Sequence, residues 1–276
     1  MDPKGKVVVI TGASRGIGAD LARGFAEAGA RLALCARTTE QLEEVAGRAR
    51  SIGAEAVPVP ADVEDARSLE AMVDLVERDL GPIDVLVNNA GVDKVWDFRE
   101  IPIEDIEWIV RVNLTGLMTA TRLVVPGMVE RGSGHIVNMS SGAGLAPVPF
   151  ASIYSATKHG VVGFSRSLRV ELAEHGVGVS VVCPGFVLGD GMFAQHDLTP
   201  PRSAGSVSVR DVTDAVLSCV RKNKPEAVVA PLTNRLADVL VAMSPRAFAE
   251  GMRRTGVVDF YREWARINAE REGSPT

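Results

Sequence analysis

The chain has 276 residues, 46% of them hydrophobic and only 5% aromatic, with a net charge of -5 at pH 7. That length allows one α/β domain with a large core, and the acidic balance argues against a nucleic-acid surface. The opening residues lack a signal peptide's apolar core, and no apolar run reaches the ~18 residues of a membrane span, so a reducing, cytoplasmic setting is the expectation.

Gly is plentiful at 27 residues, the profile of a parallel sheet covered by Ala-rich helices. The three cysteines, Cys35, Cys183 and Cys219, are far apart and read as buried thiols. His135, His159, His175 and His196 show no metal-ligand spacing, so no metal site is expected.

The first element, 6–11, contains Val7-Val8-Val9-Ile10, a short β-branched run that reads as a buried strand. Gly12, Ser14, Arg15, Gly16, Ile17 and Gly18 follow, and then a helical pattern over 16–29. A glycine-rich turn between strand and helix lets backbone N–H groups and the positive helix end face a pyrophosphate. The spacing is GxxxGxG, not GxGxxG, and a tight turn of small residues for packing is the alternative. Further strands are expected at 31–36, 55–60, 84–88, 134–140, 178–183 and 226–230. Further helices are expected at 38–52, 65–79, 104–130, 154–175 and 210–222. The βαβα rhythm predicts a parallel sheet of about seven strands, helices on both faces and right-handed crossovers. The stretch from Gly189 to Ser208 has Gly, Pro and Ser without a strong period and reads as a mobile loop.

Tyr154 and Lys158 open the 154–175 helix, four residues apart and so on one face. Free Tyr has a pKa near ~10; an ammonium beside the phenol favours phenolate and lowers it. A reaction in which a carbonyl oxygen gains or loses a proton at neutral pH needs such a group.

The order TGxxxGxG, Asn88-Asn89-Ala90-Gly91, Asn113, Ser141 with Tyr154 and Lys158, then Pro184-Gly185 resembles the short-chain dehydrogenase/reductase superfamily, in its short single-domain branch. The resemblance covers about residues 5–230. It implies a Rossmann-type doubly wound α/β fold, with a catalytic domain over 1–231, and an oxidoreductase that interconverts a carbonyl and an alcohol. By resemblance Tyr154 is the general acid or base, Ser141 hydrogen-bonds the same substrate oxygen, and Lys158 lowers the Tyr154 pKa and binds the nicotinamide ribose. Asn113 resembles the Asn that holds a water linking Lys158 to solvent, and a helix-bend role also fits it. Ser140 competes with Ser141 but would face away in a strand. Asp62, followed by Val63, matches an adenine-binding Asp, with a helix N-cap as its alternative. Asn89, Ala90 and Gly91 match the adenosine-side motif, and Pro184, Gly185 and Val187 the segment at the nicotinamide face. Gly189 stands where many relatives carry a Thr that bonds the nicotinamide amide.

NAD-preferring relatives carry Asp where this chain has Ala36. Arg37 and Thr38 follow it, and Arg15 sits in the glycine turn. Two guanidinium groups suit a 2′-phosphate, so NADP(H) is expected over NAD(H). Trp96, Phe98, Leu145, Pro147, Val148, Phe150, Met192 and Phe193 are candidate walls of an apolar pocket for a small-molecule ketone, aldehyde or alcohol. The alternative for several of them is ordinary core. A cofactor-binding sensor or scaffold with little turnover is the alternative function.

Residues 232–276 match none of these motifs. Leu236, Val239, Leu240 and Met243 fall at helical spacing, and seven Arg against six Asp plus Glu leave this segment near neutral. Such a segment could be a lid, a subunit contact or a surface helix on a membrane, and a helical extension packed on its own or a partner subunit is expected ahead of membrane association. The resemblance, through the long helices at 104–130 and 154–175, implies a homodimer or homotetramer.

Overall fold

The short apolar runs become strands because their side chains are buried on both faces, which a helix-covered parallel sheet requires. The computed structural model describes residues 1–188, 205–231, 241 and 243–271. Among these residues the strands are β1 Val7–Thr11, β2 Arg31–Ala36, β3 Ala56–Pro60, β4 Val85–Asn88, β5 Gly134–Met139, β6 Val177–Pro184, β7 Val187–Leu188, β8 Val207–Ser208 and β9 Glu226–Val229. Seven form one sheet in the order β3-β2-β1-β4-β5-β6-β9, every pair parallel. This is the doubly wound, Rossmann-like arrangement. The chain winds outward from β1 to β3, then restarts at β4 on the other side of β1. Loops on either side of that switch diverge, which opens a crevice at the carboxyl ends of β1 and β4.

The helices are α1 Gly16–Glu27, α2 Thr39–Ser51, α3 Ala66–Asp79, α4 Ile103–Val110, α5 Gly116–Glu130, α6 Ser152–Leu172, α7 Val209–Lys222, α8 Pro245–Arg254 and α9 Val257–Arg271. Leu21 and Phe25 of α1, Leu42 of α2 and Val216 of α7 pack on one face of the sheet. Leu69 and Met72 of α3, Val124 of α5 and Leu172 of α6 pack on the other. Leu21, Phe25, Leu42, Leu69 and Met72 are all essentially inaccessible, and each contributes ~1.5–3 kcal/mol by leaving water.

Three elements depart from expectation. The 104–130 helix is interrupted by a π turn, Arg111–Thr115, with Asn113 at its centre; polar bonds made by that Asn, described below, account for the bulge. The long helix starts at Ser152 and ends in a 3-10 turn, Ala173–His175, where Gly176 takes φ +71° and cannot continue a right-handed helix. The end of the expected loop at 189–208 contains β8, which pairs with β7 through Val187–Val207 and Leu188–Ser208. Two residues per strand are too few to leave a periodic signal. Gly189, Met192, Phe193, Leu236, Val239 and Leu240 lie outside the described residues.

Candidate active site

At the crevice, backbone packs against backbone. Gly12 takes φ +64°, and a Cβ there would stand 2.8 Å from Ala90 Cα. A Cβ on Gly18 would lie 2.1 Å from the Gly12 carbonyl oxygen. Only glycine allows the turn to close this tightly over the start of α1. Asn89 fixes the turn from the next strand, its side-chain amide donating to the Thr11 (3.0 Å) and Gly12 (3.1 Å) carbonyls. The N-terminus of α1 has no side-chain cap. Its free N–H groups and dipole therefore face the crevice, a geometry suited to a pyrophosphate.

A cavity of about 1110 Å³ runs from this turn to the C-terminal helices. It exceeds the range typical of small-ligand pockets, with room for a dinucleotide and a second molecule. Every expected site residue borders it except Asn113. Arg15 and Arg37 are exposed at the glycine turn and past the end of β2. Asp62 accepts a hydrogen bond from the Glu64 N–H (3.0 Å), while Asp65 caps α3, so the N-cap role falls to Asp65. Pro184, Gly185 and Val187 border the cavity where β6 ends.

Farther along, Ser141, Tyr154 and Lys158 come together. Gly144 permits this, since a Cβ there would meet Ser140 Oγ at 2.4 Å and the Lys158 carbonyl at 2.6 Å. The Ser155 hydroxyl of α6 also donates to the Ala143 carbonyl (2.7 Å) and ties the 142–144 turn to the helix. Ser140 is engaged elsewhere, donating to the Lys158 carbonyl (2.9 Å). Ser141 Oγ accepts from the Ala143 N–H (3.2 Å) and lies beside the Tyr154 phenol.

Burial, and then the nearby Asp93 charge, push the Tyr154 phenol up from its ordinary value, while Ser141 works the other way. Lys158 is not among the groups that move it. Its Nζ donates to the Met139 carbonyl (3.0 Å) and stands 5.5 Å from the Tyr154 ring centre. The expected lowering of the Tyr154 pKa is thus not met in this geometry, because desolvation of the phenol wins. Burial also brings Lys158 down to about 8, with Cys183 and Asp93 opposing.

Asn113 sits behind the wall, 1% exposed. Its Oδ1 accepts from the Val92 N–H (2.8 Å), and its Nδ2 donates to the Val92 carbonyl (2.7 Å) and to Thr157 Oγ1 (3.3 Å). It joins the 88–91 motif to α6.

Of the expected pocket walls, Leu145, Pro147 and Val148 border the cavity. Trp96 is buried core and Phe98 is mostly exposed. Phe150, at φ +59°, packs beside Val95, Ala151 and Tyr154. The sequence reading did not single out Asp93 as a site residue, placed Phe186 only within the segment at the nicotinamide face, and gave Tyr261 and Trp264 no place in the site. From α9, Tyr261 and Trp264 stack at 5.8 Å, and Phe186 stands 6.1 Å from Tyr261. The apolar face of α8 also borders the cavity through Phe248 and Met252. A chain position two residues beyond Gly91 and a helical aromatic stripe were the available signals; neither carries a local motif.

The comparisons agree with this geometry. The family model described as short chain dehydrogenase matches residues 6–198. The chain is 38% identical over 261 residues to the ketoacyl reductase HetN of Nostoc sp., which covers 93% of this chain and 91% of that protein. A short-chain type dehydrogenase/reductase from Mycobacterium marinum superposes with a TM-score of 0.78 at 30% identity, covering 83% of this chain and 95% of that one. A metagenomic short-chain oxidoreductase in complex with NADP gives 0.72 at 32% identity, covering 84% and 99%. The matched span takes in both the glycine cradle at one end of the cavity and Ser141, Tyr154 and Lys158 at the other, and the chain belongs to the short-chain dehydrogenase family.

Proposed function

We propose that this oxidoreductase uses NADP(H), in preference to NAD(H), to interconvert a ketone or aldehyde and an alcohol on an apolar small molecule. One observation carries the reading. Ser141, Tyr154 and Lys158 meet in the same cavity as a glycine cradle flanked by Arg15 and Arg37. The nicotinamide, when bound, supplies or accepts the hydride. Gly12, Gly16 and Gly18 would hold its pyrophosphate, and Arg15 and Arg37 its 2′-phosphate, with Thr38 alongside. Asp62, Val63, Asn89, Ala90 and Gly91 line the adenosine side, and Pro184, Gly185 and Val187 the nicotinamide side. The names of two relatives, a ketoacyl reductase and an oxidoreductase in complex with NADP, are consistent with this.

The proton chemistry follows from the chain's own groups. Ser141 and Tyr154 hold the substrate oxygen where negative charge develops. Tyr154 gives its proton to that oxygen in reduction and takes it back in oxidation. Lys158 places an ammonium beneath the phenol. Asn113 holds Val92, and thereby the loop facing Lys158, in register.

Absorbance-followed NADPH oxidation against ketones and aldehydes of rising size and apolarity, with NADH in parallel, tests the proposal. Turnover with NADPH and preference for the larger apolar substrates is expected. Tight NADPH binding without turnover of any carbonyl compound would instead favour a cofactor-binding sensor.

A further inference from the structure

Past Ser141, Tyr154 and Lys158, much of the substrate end of the cavity is apolar. Val148, Phe186 and Trp264 supply hydrocarbon surface around Tyr261, and Asp93 borders the same cavity. Asp93 and Tyr261 come from distant parts of the chain. Asp93 follows Val92, whose N–H and carbonyl are both held by Asn113, so its backbone direction is fixed. Tyr261 is held on α9 between Phe260 (5.2 Å, edge-on) and Trp264 (5.8 Å, stacked). Asp93 forms no ion pair among the described residues; its own backbone N–H faces its carboxyl, and a carboxylate in apolar surroundings takes further donors. Val95, two residues on, packs with Tyr154, Tyr261 and Trp264, and its carbonyl accepts from Asn268 Nδ2 of α9 (3.0 Å), so the Asp93 segment lies against α9; burial raises the pKa of both Asp93 and Tyr261.

We propose that Asp93 and Tyr261 form a second polar station, beside Ser141 and Tyr154, which binds a hydroxyl group carried by the substrate near its reacting carbonyl. The hydroxyl donates to the Asp93 carboxylate and accepts from the Tyr261 phenol. A neutral donor fits better than an ammonium, because the Lys158 ammonium already stands beside this loop, 3.5 Å from where a Gly91 Cβ would lie, and a second cation would be repelled. The substrate class is thus a hydroxylated ketone or aldehyde with an apolar body against Phe186 and Trp264. This rests on the carbonyl-reductase reading above.

The test compares an arylalkyl ketone with its chain-hydroxylated and chain-aminated counterparts. Two readouts are taken: kcat/KM with NADPH, and equilibrium binding to the NADP-loaded protein by quenching of tryptophan fluorescence. Wild type should favour the hydroxylated ketone by ~10-fold or more, since a site built around a hydrogen bond discriminates strongly against a ligand lacking it. In Asp93→Asn and, separately, in Tyr261→Phe, the ratio of hydroxylated to plain ketone should fall at least ~5-fold. Using two variants guards against one failing to fold. A ratio that stays put in both folded variants, or a wild type that prefers the amine or shows no preference, overturns the proposal. If no ketone turns over, the reductase reading fails by itself, and the binding ratios still decide whether the station exists.

Discussion

The two ends of the cavity are built from different materials. The glycine end is backbone: Gly12, Gly18 and Ala90 approach so closely that a single added Cβ would clash. The substrate end is side chain: Tyr154, Phe186, Tyr261 and Trp264 meet there from segments up to 110 positions apart in sequence. A backbone cradle tolerates almost no substitution and leaves a readable motif. A side-chain wall needs only suitable shape and polarity, so it can be composed of any elements that reach it. The contrast predicts that damage at the glycine end abolishes cofactor binding whatever the substrate, whereas damage at the other end changes which substrate reacts.

The sharpest test lies where the two ends meet. Tyr154→Phe removes the proton donor and keeps the ring. Turnover should fall by roughly 10³-fold, within the range for losing a general acid, while NADPH fluorescence titration shows affinity within about threefold of wild type. A variant that retains a tenth of its activity would remove Tyr154 from the chemistry.

Gly18→Ala should act almost as strongly and in the opposite manner. Its Cβ would stand 2.1 Å from the Gly12 carbonyl, which is backbone and cannot turn aside. NADPH affinity should drop by about 100-fold, or thermal unfolding should shift well below that of wild type, with every substrate affected equally. Normal affinity and stability would show that the turn is less tightly closed than described.

The same contrast explains what was legible in the sequence. The parallel sheet with helices on both faces and the glycine-rich turn followed from the strand–turn–helix rhythm, because local patterns mark each element. The grouping of Ser141 with Tyr154 and Lys158 came from the resemblance; spacing alone put only Tyr154 and Lys158 on one face of α6. Asp93 was not legible, since nothing local marks a carboxyl that borders the cavity. Tyr261 and Trp264 fall in the 232–276 segment, which matched no motif, and periodicity shows that a helix has a face but not what the face meets. The effect of Lys158 on Tyr154 was misjudged for a similar reason: their spacing put them on one helix face, but burial of the phenol depends on Tyr154's tertiary neighbours.

A pH profile joins the two ends. Burial lowers Lys158 to about 8, so its ammonium is present below that pH and lost above it, whereas Tyr154 stays protonated throughout. The kcat/KM for NADPH should therefore hold steady up to about pH 8 and fall about tenfold per unit beyond it. A profile flat to pH 10 would mean that the ammonium is not needed. The substrate wall comes next in size. Trp264→Ala should raise KM about tenfold for a bulky apolar ketone, and much less for a small one that does not reach α9. An equal loss for both would point to misfolding of α9 rather than a changed wall, and circular dichroism would tell these apart.

The smallest expected effect concerns cofactor choice. Arg15 and Arg37 are both exposed, and neither makes an ion pair among the described residues, so each is free to meet a 2′-phosphate. A guanidinium–phosphate bond is charge-assisted, but solvent and salt weaken it at an exposed site. Arg37→Ala and Arg15→Ala should thus each reduce the NADPH-to-NADH ratio of kcat/KM by only about 3–10-fold. The loss should come from NADPH, with NADH efficiency unchanged. Raising the salt concentration should shrink the wild-type ratio and leave the double variant's ratio nearly constant. The glycine cradle cannot supply this discrimination, because it faces the pyrophosphate that both cofactors share. A ratio indifferent to both arginines and to salt would therefore count against the NADP(H) preference itself, and not merely against these two residues.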